Sequence, residues 1–315
     1  MRKIKREKKH YFWILFLIIL IFILSLAATF VMRNGATEEG ARSSFNILDE
    51  QVNGDKVKIG KLSSKYVALY ELESWNELYK KNSQEKMFPA SLTKMMTAVI
   101  LIEKSNDLDA VVKLDSDMFE SLYKEDASMA GFLPGEIVTK KDLLYGILLP
   151  SGAECCVGIA INIAGSESEF VKIMNQKAKE IGMKNTHFEN STGLNSKEHY
   201  STAEDMALLL KYALQFEIFE EAFTASSYYV QPTNMHVDGV TLYSRLFNDL
   251  PDSSLVNGKI LGGKTGYTEE AGLCLASLAE INGKKYILVT AGAEGNHTTS
   301  PYHILDAKNI YNNIY

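Results

Sequence analysis

A serine and a lysine stand three positions apart in this chain, within the segment Pro89–Lys94 (PASLTK). A residue three positions on lies on the same face of a helix, so the amine of Lys94 can reach the hydroxyl of Ser91. Burial among apolar neighbours disfavours the charged ammonium, and a neutral amine can take the proton that a nucleophilic serine must lose. The pair predicts a catalytic serine with a lysine base, although a helix-capping serine followed by a surface lysine has the same spacing.

A second serine and a second lysine lie in motifs of their own. Ser151 lies in the turn Leu149–Ala153 (LPSGA), before a helical segment, where a serine can face a cleft or cap a helix. Lys264 lies in Gly262–Tyr267 (GGKTGY), and glycines beside a strand lysine allow a ligand to approach the backbone closely. Lys264 would supply a positive charge for a carboxylate. The glycine spacing before this lysine excludes a phosphate-binding loop.

The elements that must hold these motifs follow the order strands, helices, strands. The almost wholly apolar helical spacing of Ser91–Lys104 predicts a buried helix, and Asn282-Gly283 is a strong hairpin signal. We expect strands at Tyr66–Leu72, Glu77–Lys80, Leu273–Glu280 and Lys285–Ala291, two helices within residues 140–182, and helices at Thr202–Gln215 and Ile304–Tyr315. This order predicts a mixed α/β (α+β) fold, in which an antiparallel sheet carries an inserted helical lobe.

Residues 11–32 form an uncharged apolar stretch that is long enough to span a bilayer as a helix. Residues 1–10 carry a net charge of +5, and the positive-inside rule keeps such a basic segment in the cytoplasm. We therefore expect a single-pass anchor in the cell membrane, with the rest of the chain outside the cytoplasm. The alternative is a cleaved signal peptide, with Ser25–Ala27 as a weak cleavage site.

The rest of the chain divides into a tether and a globular body. Residues 33–60 are polar and rich in Gly, Ser, Asn and Asp, which predicts a tether, and residues 61–315 have the composition of a globular domain. The whole chain has a net charge of −6, so the residues after 32 carry −11. Such an acidic body is a poor candidate for binding nucleic acid, because phosphate neutralisation requires a basic surface.

Three cysteines, Cys155, Cys156 and Cys274, are too few for a disulfide framework in an exported chain. We interpret them as small, buried apolar residues. A single bridge from Cys155 or Cys156 to Cys274 stays open on the sequence alone.

Together, a Ser-x-x-Lys element, a serine-containing loop and Lys-Thr-Gly are, in that order, the signature of penicillin-binding proteins and serine β-lactamases. The chain resembles the low-molecular-weight penicillin-binding proteins that act as serine D-alanyl-D-alanine carboxypeptidases. The resemblance covers roughly residues 64–313, and its segments are Phe88–Thr97, Leu144–Gly152, Lys184–Phe188, Ser191–Leu194, His199–Ala203 and Gly263–Thr268. It implies the penicillin-binding-protein and serine β-lactamase-like fold, a five-stranded antiparallel sheet flanked by helices with an inserted helical lobe.

The resemblance also implies an acyl-enzyme mechanism. Ser91 would attack the carbonyl of the terminal D-alanyl-D-alanine bond in a peptidoglycan stem peptide, and Lys94 would act as the general base. Ser151 would relay a proton to the departing D-alanine. Water would then hydrolyse the acyl-enzyme without a metal or other cofactor, and β-lactam antibiotics would acylate the same serine covalently.

The third motif is assigned to substrate binding by the same resemblance. Lys264 and Thr265 would hold the terminal carboxylate of the substrate. The backbone N–H groups of Ser91 and Tyr267 would form the oxyanion hole, which stabilises the charge that develops during attack. The apolar segment 11–32 would replace the C-terminal amphipathic anchor of the better-known family members.

Several alternatives are weighed against this interpretation. The usual second motif ends in asparagine, whereas this chain has Ala153, so a catalytically weak, membrane-tethered penicillin-binding or scaffolding protein stays open. An endopeptidase that cuts cross-links would share every motif. A zinc carboxypeptidase is disfavoured because His187 and His199 lack clustered ligands, and we expect structural roles for both. A β-lactamase is disfavoured because Glu189–Asn195 has the wrong spacing for a Glu-led deacylation motif.

Overall fold

The strands of this protein come mainly from the two ends of its globular part. A computed structural model describes residues 59–315. Its strands are β1 (Tyr66–Glu71), β2 (Glu77–Lys81), β3 (Val111–Lys113), β4 (Ile137–Thr139), β5 (Ser227–Val230), β6 (Val240–Tyr243), β7 (Ser254–Leu255), β8 (Gly258–Thr268), β9 (Gly272–Ile281) and β10 (Lys284–Ala293). Six of them form one antiparallel sheet in the order β2-β1-β10-β9-β8-β7, while β3–β4 and β5–β6 are separate two-stranded sheets.

Most helices lie between β2 and β7 in the chain and form the inserted lobe. The helices are α1 (Lys94–Lys104), α2 (Phe119–Lys124), α3 (Lys140–Leu148), α4 (Ala153–Ala164), α5 (Glu167–Ile181), α6 (Ala203–Ala213), α7 (Glu217–Thr224), α8 (Arg245–Asp249) and α9 (Tyr302–Asn312). The first eight residues of α1 are all buried, as expected for a helix that is apolar on every face.

The sheet separates two hydrophobic clusters because successive side chains of a strand point to opposite faces. On β10, Ile287 and Val289 belong to the cluster that contains α1 and α6. Leu288, between them, belongs to the cluster that contains Ile304 and Ile310 of α9. Helices therefore cover both faces of the sheet, which confirms the predicted class.

The structure corrects the predicted elements in two places. The sheet has six strands rather than five, because the two-residue β7 extends it beyond β8. Residues 140–182 contain three helices rather than two, because one helix ends before the turn that carries Ser151 and the next ends before Gly165, which has a positive φ. The β9–β10 hairpin is confirmed, and Asn282 and Gly283 both adopt positive φ, as this tight turn requires.

The predicted anchor at residues 11–32 and almost all of the tether, up to residue 58, lie outside the described residues. Among residues 59–315, no helix has both the length and the apolar character needed to cross a membrane. Cys155, Cys156 and Cys274 are all buried free thiols, so the bridge left open by the sequence is not formed.

Candidate active site

Ser91 lies in a 3₁₀ turn, Ala90–Thr93, directly before α1, which begins at Lys94. The sequence placed Ser91 in the helix itself, so the helix begins later than predicted. The Nζ atom of Lys94 lies 3.0 Å from Oγ of Ser91, within hydrogen-bonding distance. The structure thus brings together the serine and lysine of the first motif.

The amine of Lys94 is held in a buried position, with only 2% of the residue exposed. Nζ also donates a hydrogen bond of 2.7 Å to the carbonyl oxygen of Thr192. Burial lowers the pKa of Lys94, and the nearby Arg245 also acts to lower it. An amine that is neutral and fixed by Thr192 can direct its lone pair to the proton of the Ser91 hydroxyl.

Ser151 occupies a turn that is held by backbone hydrogen bonds from the two residues directly after it. Gly152 N–H donates to the carbonyl oxygen of Gly146 (2.8 Å), and Ala153 N–H donates to that of Ser128 (2.7 Å). Ser151 has a φ of 73°, which is uncommon for a residue other than glycine. Its hydroxyl oxygen is buried and has no hydrogen-bond partner among residues 59–315. The turn therefore holds this hydroxyl in a fixed place, without a hydrogen bond to any described residue.

Strand β8 approaches the turn of Ser91 so closely that a side chain at Gly266 would collide with it. A Cβ at position 266 would lie 2.9 Å from the backbone nitrogen of Ser91 and 3.2 Å from Cβ of Ala90. At Gly262, a Cβ would lie 2.3 Å from the carbonyl oxygen of Phe223. These glycines thus allow close packing against the protein's own backbone, whereas the sequence suggested approach by a ligand.

Lys264 lies behind the surface of the site, with 1% of the residue exposed, and its Nζ donates to the carbonyl oxygen of Thr265 (2.8 Å). Burial lowers the pKa of Lys264 well below its usual range, and Lys94 and Arg245 lower it further. Arg245 is a third basic side chain here, which the sequence analysis missed. Its Nε donates to the carbonyl oxygen of Pro150 (3.0 Å), so it ties α8 to the turn of Ser151.

These groups surround a cleft of about 740 Å³. Four of the predicted site residues, Ser91, Ser151, Thr265 and Tyr267, line it, and Arg245 lines it with them. Lys94 and Lys264 stand behind this surface, where they contact the lining residues through the hydrogen bonds already described. All six predicted residues therefore belong to one constellation. Ala153 does not line the cleft and is only 1% exposed.

His199 ties the 3₁₀ turn of Ser91 to a neighbouring loop. Its Nδ1 accepts the N–H of Glu189 (3.3 Å), and its Nε2 lies 2.9 Å from Oγ1 of Thr93. Because Nδ1 is an acceptor, the proton of the neutral ring is on Nε2, which donates to Thr93. Burial lowers the pKa of His199 to about 4, consistent with a neutral ring. No group of three or more metal-ligating side chains occurs in the described part of the chain.

Comparison with known proteins identifies relatives over most of the chain. Residues 53–295 match the model of the D-alanyl-D-alanine carboxypeptidase family. The D-alanyl-D-alanine carboxypeptidase DacF of Bacillus subtilis is 38% identical over 234 residues, which are 73% of this chain and 57% of DacF. The D-alanyl-D-alanine endopeptidase of Pseudomonas aeruginosa is 31% identical over 237 residues, which are 74% of this chain and 71% of that protein.

Solved structures show the same architecture. The crystal structure of the Streptomyces K15 DD-transpeptidase has a TM-score of 0.74 and 26% sequence identity, and the match covers 82% of this chain and 98% of that one. The described fold is therefore the fold of the DD-peptidases. This chain spans 57% of the length of its Bacillus relative. By the family model and these relatives, the chain belongs to the D-alanyl-D-alanine carboxypeptidase family of low-molecular-weight penicillin-binding proteins.

Proposed function

We propose that this protein is a serine-type D-alanyl-D-alanine carboxypeptidase, which removes the terminal D-alanine from peptidoglycan stem pentapeptides. The observation that carries the proposal is the distance of 3.0 Å between Oγ of Ser91 and Nζ of the buried Lys94. In the acylation step, Lys94 takes the hydroxyl proton while Ser91 Oγ bonds to the carbonyl carbon of the scissile peptide. Collapse of the tetrahedral intermediate breaks the C–N bond and leaves an acyl-enzyme on Ser91.

Two further groups act on this intermediate. The hydroxyl of Ser151 relays to the departing nitrogen the proton that Lys94 took from Ser91, so that D-alanine leaves as a neutral amine and Lys94 is neutral again. The backbone N–H groups of Ser91 and Tyr267 donate to the oxyanion. The close approach of β8 at Gly266 supports this role, because it brings the strand that carries Tyr267 against the backbone nitrogen of Ser91. Water then hydrolyses the ester and restores the Ser91 hydroxyl.

The terminal carboxylate of the substrate binds at the Lys264–Thr265 end of the cleft. Thr265 and Arg245 line the cleft there, and Lys264 lies directly behind Thr265, to whose carbonyl oxygen it donates a hydrogen bond. A bound carboxylate favours the ammonium form of Lys264, which burial otherwise disfavours. The carboxylate therefore pairs with the charge on Lys264, and this favours substrates with a free C-terminus.

Two properties of the whole chain complete the proposal. β-Lactam antibiotics acylate Ser91 and block the site, because they present a reactive carbonyl and a carboxylate to the same groups. Residues 11–32 anchor the chain in the cell membrane and leave the catalytic domain outside the cytoplasm, which their apolar character and the basic residues 1–10 support. Full-length chain should sediment with membranes, and a chain that starts near Ala28 would instead show a cleaved signal peptide.

The function is tested with two synthetic substrates and the full-length chain in detergent. One is a stem pentapeptide that ends in D-alanyl-D-alanine, and the other is a cross-linked pair of stem peptides. Mass spectrometry should show loss of one D-alanine from the pentapeptide, and prior treatment with penicillin should abolish it. Cleavage of the cross-linked pair alone would identify an endopeptidase, the activity named for the Pseudomonas relative. If neither substrate is cleaved, the protein is a catalytically weak penicillin-binding or scaffolding protein.

A further inference from the structure

Glu154 is a buried carboxylate that none of the proposed catalytic steps uses. It lies in the first turn of α4, three positions after Ser151, and is completely buried. Its Oε1 accepts backbone N–H groups from Ala130 (2.7 Å), Gly131 (2.9 Å) and Phe132 (3.3 Å). Hydrogen bonds to a carboxylate are stronger than those between neutral groups, so three of them hold this loop firmly against α4.

The loop that Glu154 holds is also a wall of the cleft. Ser128 and Met129 line the cleft and directly precede the three residues bound by the carboxylate. The carbonyl oxygen of Ser128 accepts the N–H of Ala153 (2.7 Å), so the first turn of α4 binds the loop on both sides of Met129. Residues 127–136 contain no helix or strand, and these contacts therefore take the place of regular secondary structure.

Gly152 leaves the space in which this contact forms. A Cβ at position 152 would lie 2.7 Å from Cβ of Ala130 and 2.9 Å from Oε2 of Glu154. That second carboxylate oxygen is buried without a hydrogen-bond partner among the described residues. Burial raises the pKa of Glu154, and the backbone N–H groups of the loop oppose this shift. Within residues 59–315, Glu154 therefore binds the loop through Oε1 alone.

We propose that Glu154 is a positioning residue, which sets the distance between the cleft wall at Ser128–Met129 and the hydroxyl of Ser151. It acts on the acylation of Ser91 through the loop and does not touch the substrate. The inference rests on the proposed function, because acylation is the step that it adjusts. A displacement of about 1 Å in the groups that orient a substrate can slow a reaction by about 10²-fold.

The test compares two variants of Glu154 in the full-length chain, with benzylpenicillin as the acylating probe. Intact-mass spectrometry gives the rate of adduct formation, and near-ultraviolet circular dichroism gives the folded fraction. Glu154→Ala should acylate at least about tenfold more slowly per folded molecule, because the loop loses its acceptor. Glu154→Gln should recover the parent rate to within about threefold, since its amide oxygen can still accept, although its buried NH₂ group should lower the melting temperature.

Asp306 provides the matched control. It is also a buried carboxylate, and it accepts the backbone N–H groups of Ser63 and Ser64 and the hydroxyl of Ser64, but none of these residues lines the cleft. Asp306→Ala should lower the melting temperature and leave the acylation rate per folded molecule unchanged. If Glu154→Ala does not fold, Glu154→Asp replaces it, because that side chain keeps the charge but is one methylene too short to reach the loop.

A parental acylation rate in folded Glu154→Ala or Glu154→Asp would overturn the positioning role. So would an equal loss in Glu154→Gln and Glu154→Ala, because the amide oxygen of glutamine can still accept from the loop. A parent chain that forms no adduct at all would contradict the proposed function instead. The two failures are therefore distinguishable.

Discussion

The side chain of Lys264 is buried behind the surface of the cleft, although its proposed role is to supply a positive charge for a carboxylate. Its pKa is lowered by burial and by the neighbouring basic groups Lys94 and Arg245. Lys264→Ala should therefore weaken turnover of a peptide with a free C-terminal carboxylate far more than turnover of the same peptide with an amidated C-terminus. Steady-state kinetics on both peptides measure the difference. Equal losses for the two peptides would remove the carboxylate-binding role.

Substitutions in the second motif, Leu149–Ala153, distinguish a catalytically weak protein from an active enzyme. Ser151 has a buried, unpartnered hydroxyl, whereas Ala153 is buried away from the cleft lining. Ser151→Ala should lower peptide turnover by about 10²–10⁴-fold, the usual size of an acid–base contribution. Ala153→Asn should change it by about tenfold or less, because a neutral hydrogen bond contributes about 0.5–1.5 kcal/mol. A gain of several hundredfold in Ala153→Asn would show that the parent is a degenerate penicillin binder.

At the residue scale, the sequence predicts those contacts that are local in the chain. Ser91 and Lys94 meet because three positions separate them on consecutive helical turns. Arg245 could not be found in this way, since it reaches the site through the packing of α8 against β8 and its bond to Pro150. Glu154 was missed for a similar reason, because its hydrogen-bond donors lie more than twenty residues earlier in the chain.

Among the elements, β8 packs directly against the 3₁₀ turn of Ser91. Gly266→Ala places a Cβ 2.9 Å from the backbone nitrogen of Ser91 and must push the strand and the turn apart. Acylation by benzylpenicillin should fall by about 10²-fold, since the oxyanion donors separate. Gly60→Ala is the control, because no atom lies within 4 Å of its added Cβ. Acylation of Gly266→Ala at a rate close to that of the parent would contradict the predicted arrangement.

The loop that meets Thr93 through His199 should respond to acid. Burial lowers the pKa of His199 from its ordinary 6.5 to about 4, so the full stabilisation by the neutral ring is present above pH 6.5. The unfolding free energy should therefore decrease as the pH falls from about 6.5 to about 4, by on the order of 3 kcal/mol from this residue. His303, whose pKa is also lowered to about 4, adds a contribution of the same sign.

Urea unfolding at several pH values measures this dependence. His199→Gln should flatten the pH dependence between about 6.5 and 4 but not abolish it, because His303 remains. An unchanged pH dependence in His199→Gln would show that His199 is not held neutral in the folded chain.

The elements themselves were predictable where their signals are short-range. The Asn282-Gly283 turn and its two strands follow from local turn chemistry, and α1 follows from its apolar spacing. The start of α1 at Lys94 was not predicted, because the 3₁₀ turn of Ser91 depends on contacts with β8. The two-residue β7 carries too few residues for any periodic signal and is defined only by pairing with β8.

For the molecule as a whole, the sequence predicts which segments carry the site but not how they meet. The first strand, β1, pairs with the last strand, β10, although more than two hundred residues of chain separate them. The three motifs lie in the inserted lobe and in the sheet, and they meet only in the folded cleft. Such contacts depend on long-range packing, for which the local pattern holds no information, and the resemblance to a known family predicted only that the three motifs share one site.

The central claim is that Ser91 is the nucleophile, and mapping the penicillin adduct on the full-length chain tests it most directly. The chain is treated with benzylpenicillin, digested and sequenced by tandem mass spectrometry, beside Ser91→Ala and Lys94→Ala. We predict a single penicilloyl group on Ser91 of the parent, no adduct in Ser91→Ala, and little or none in Lys94→Ala at any pH, because the base is lost. An adduct on another residue, or labelling that persists in Ser91→Ala, would contradict the claim.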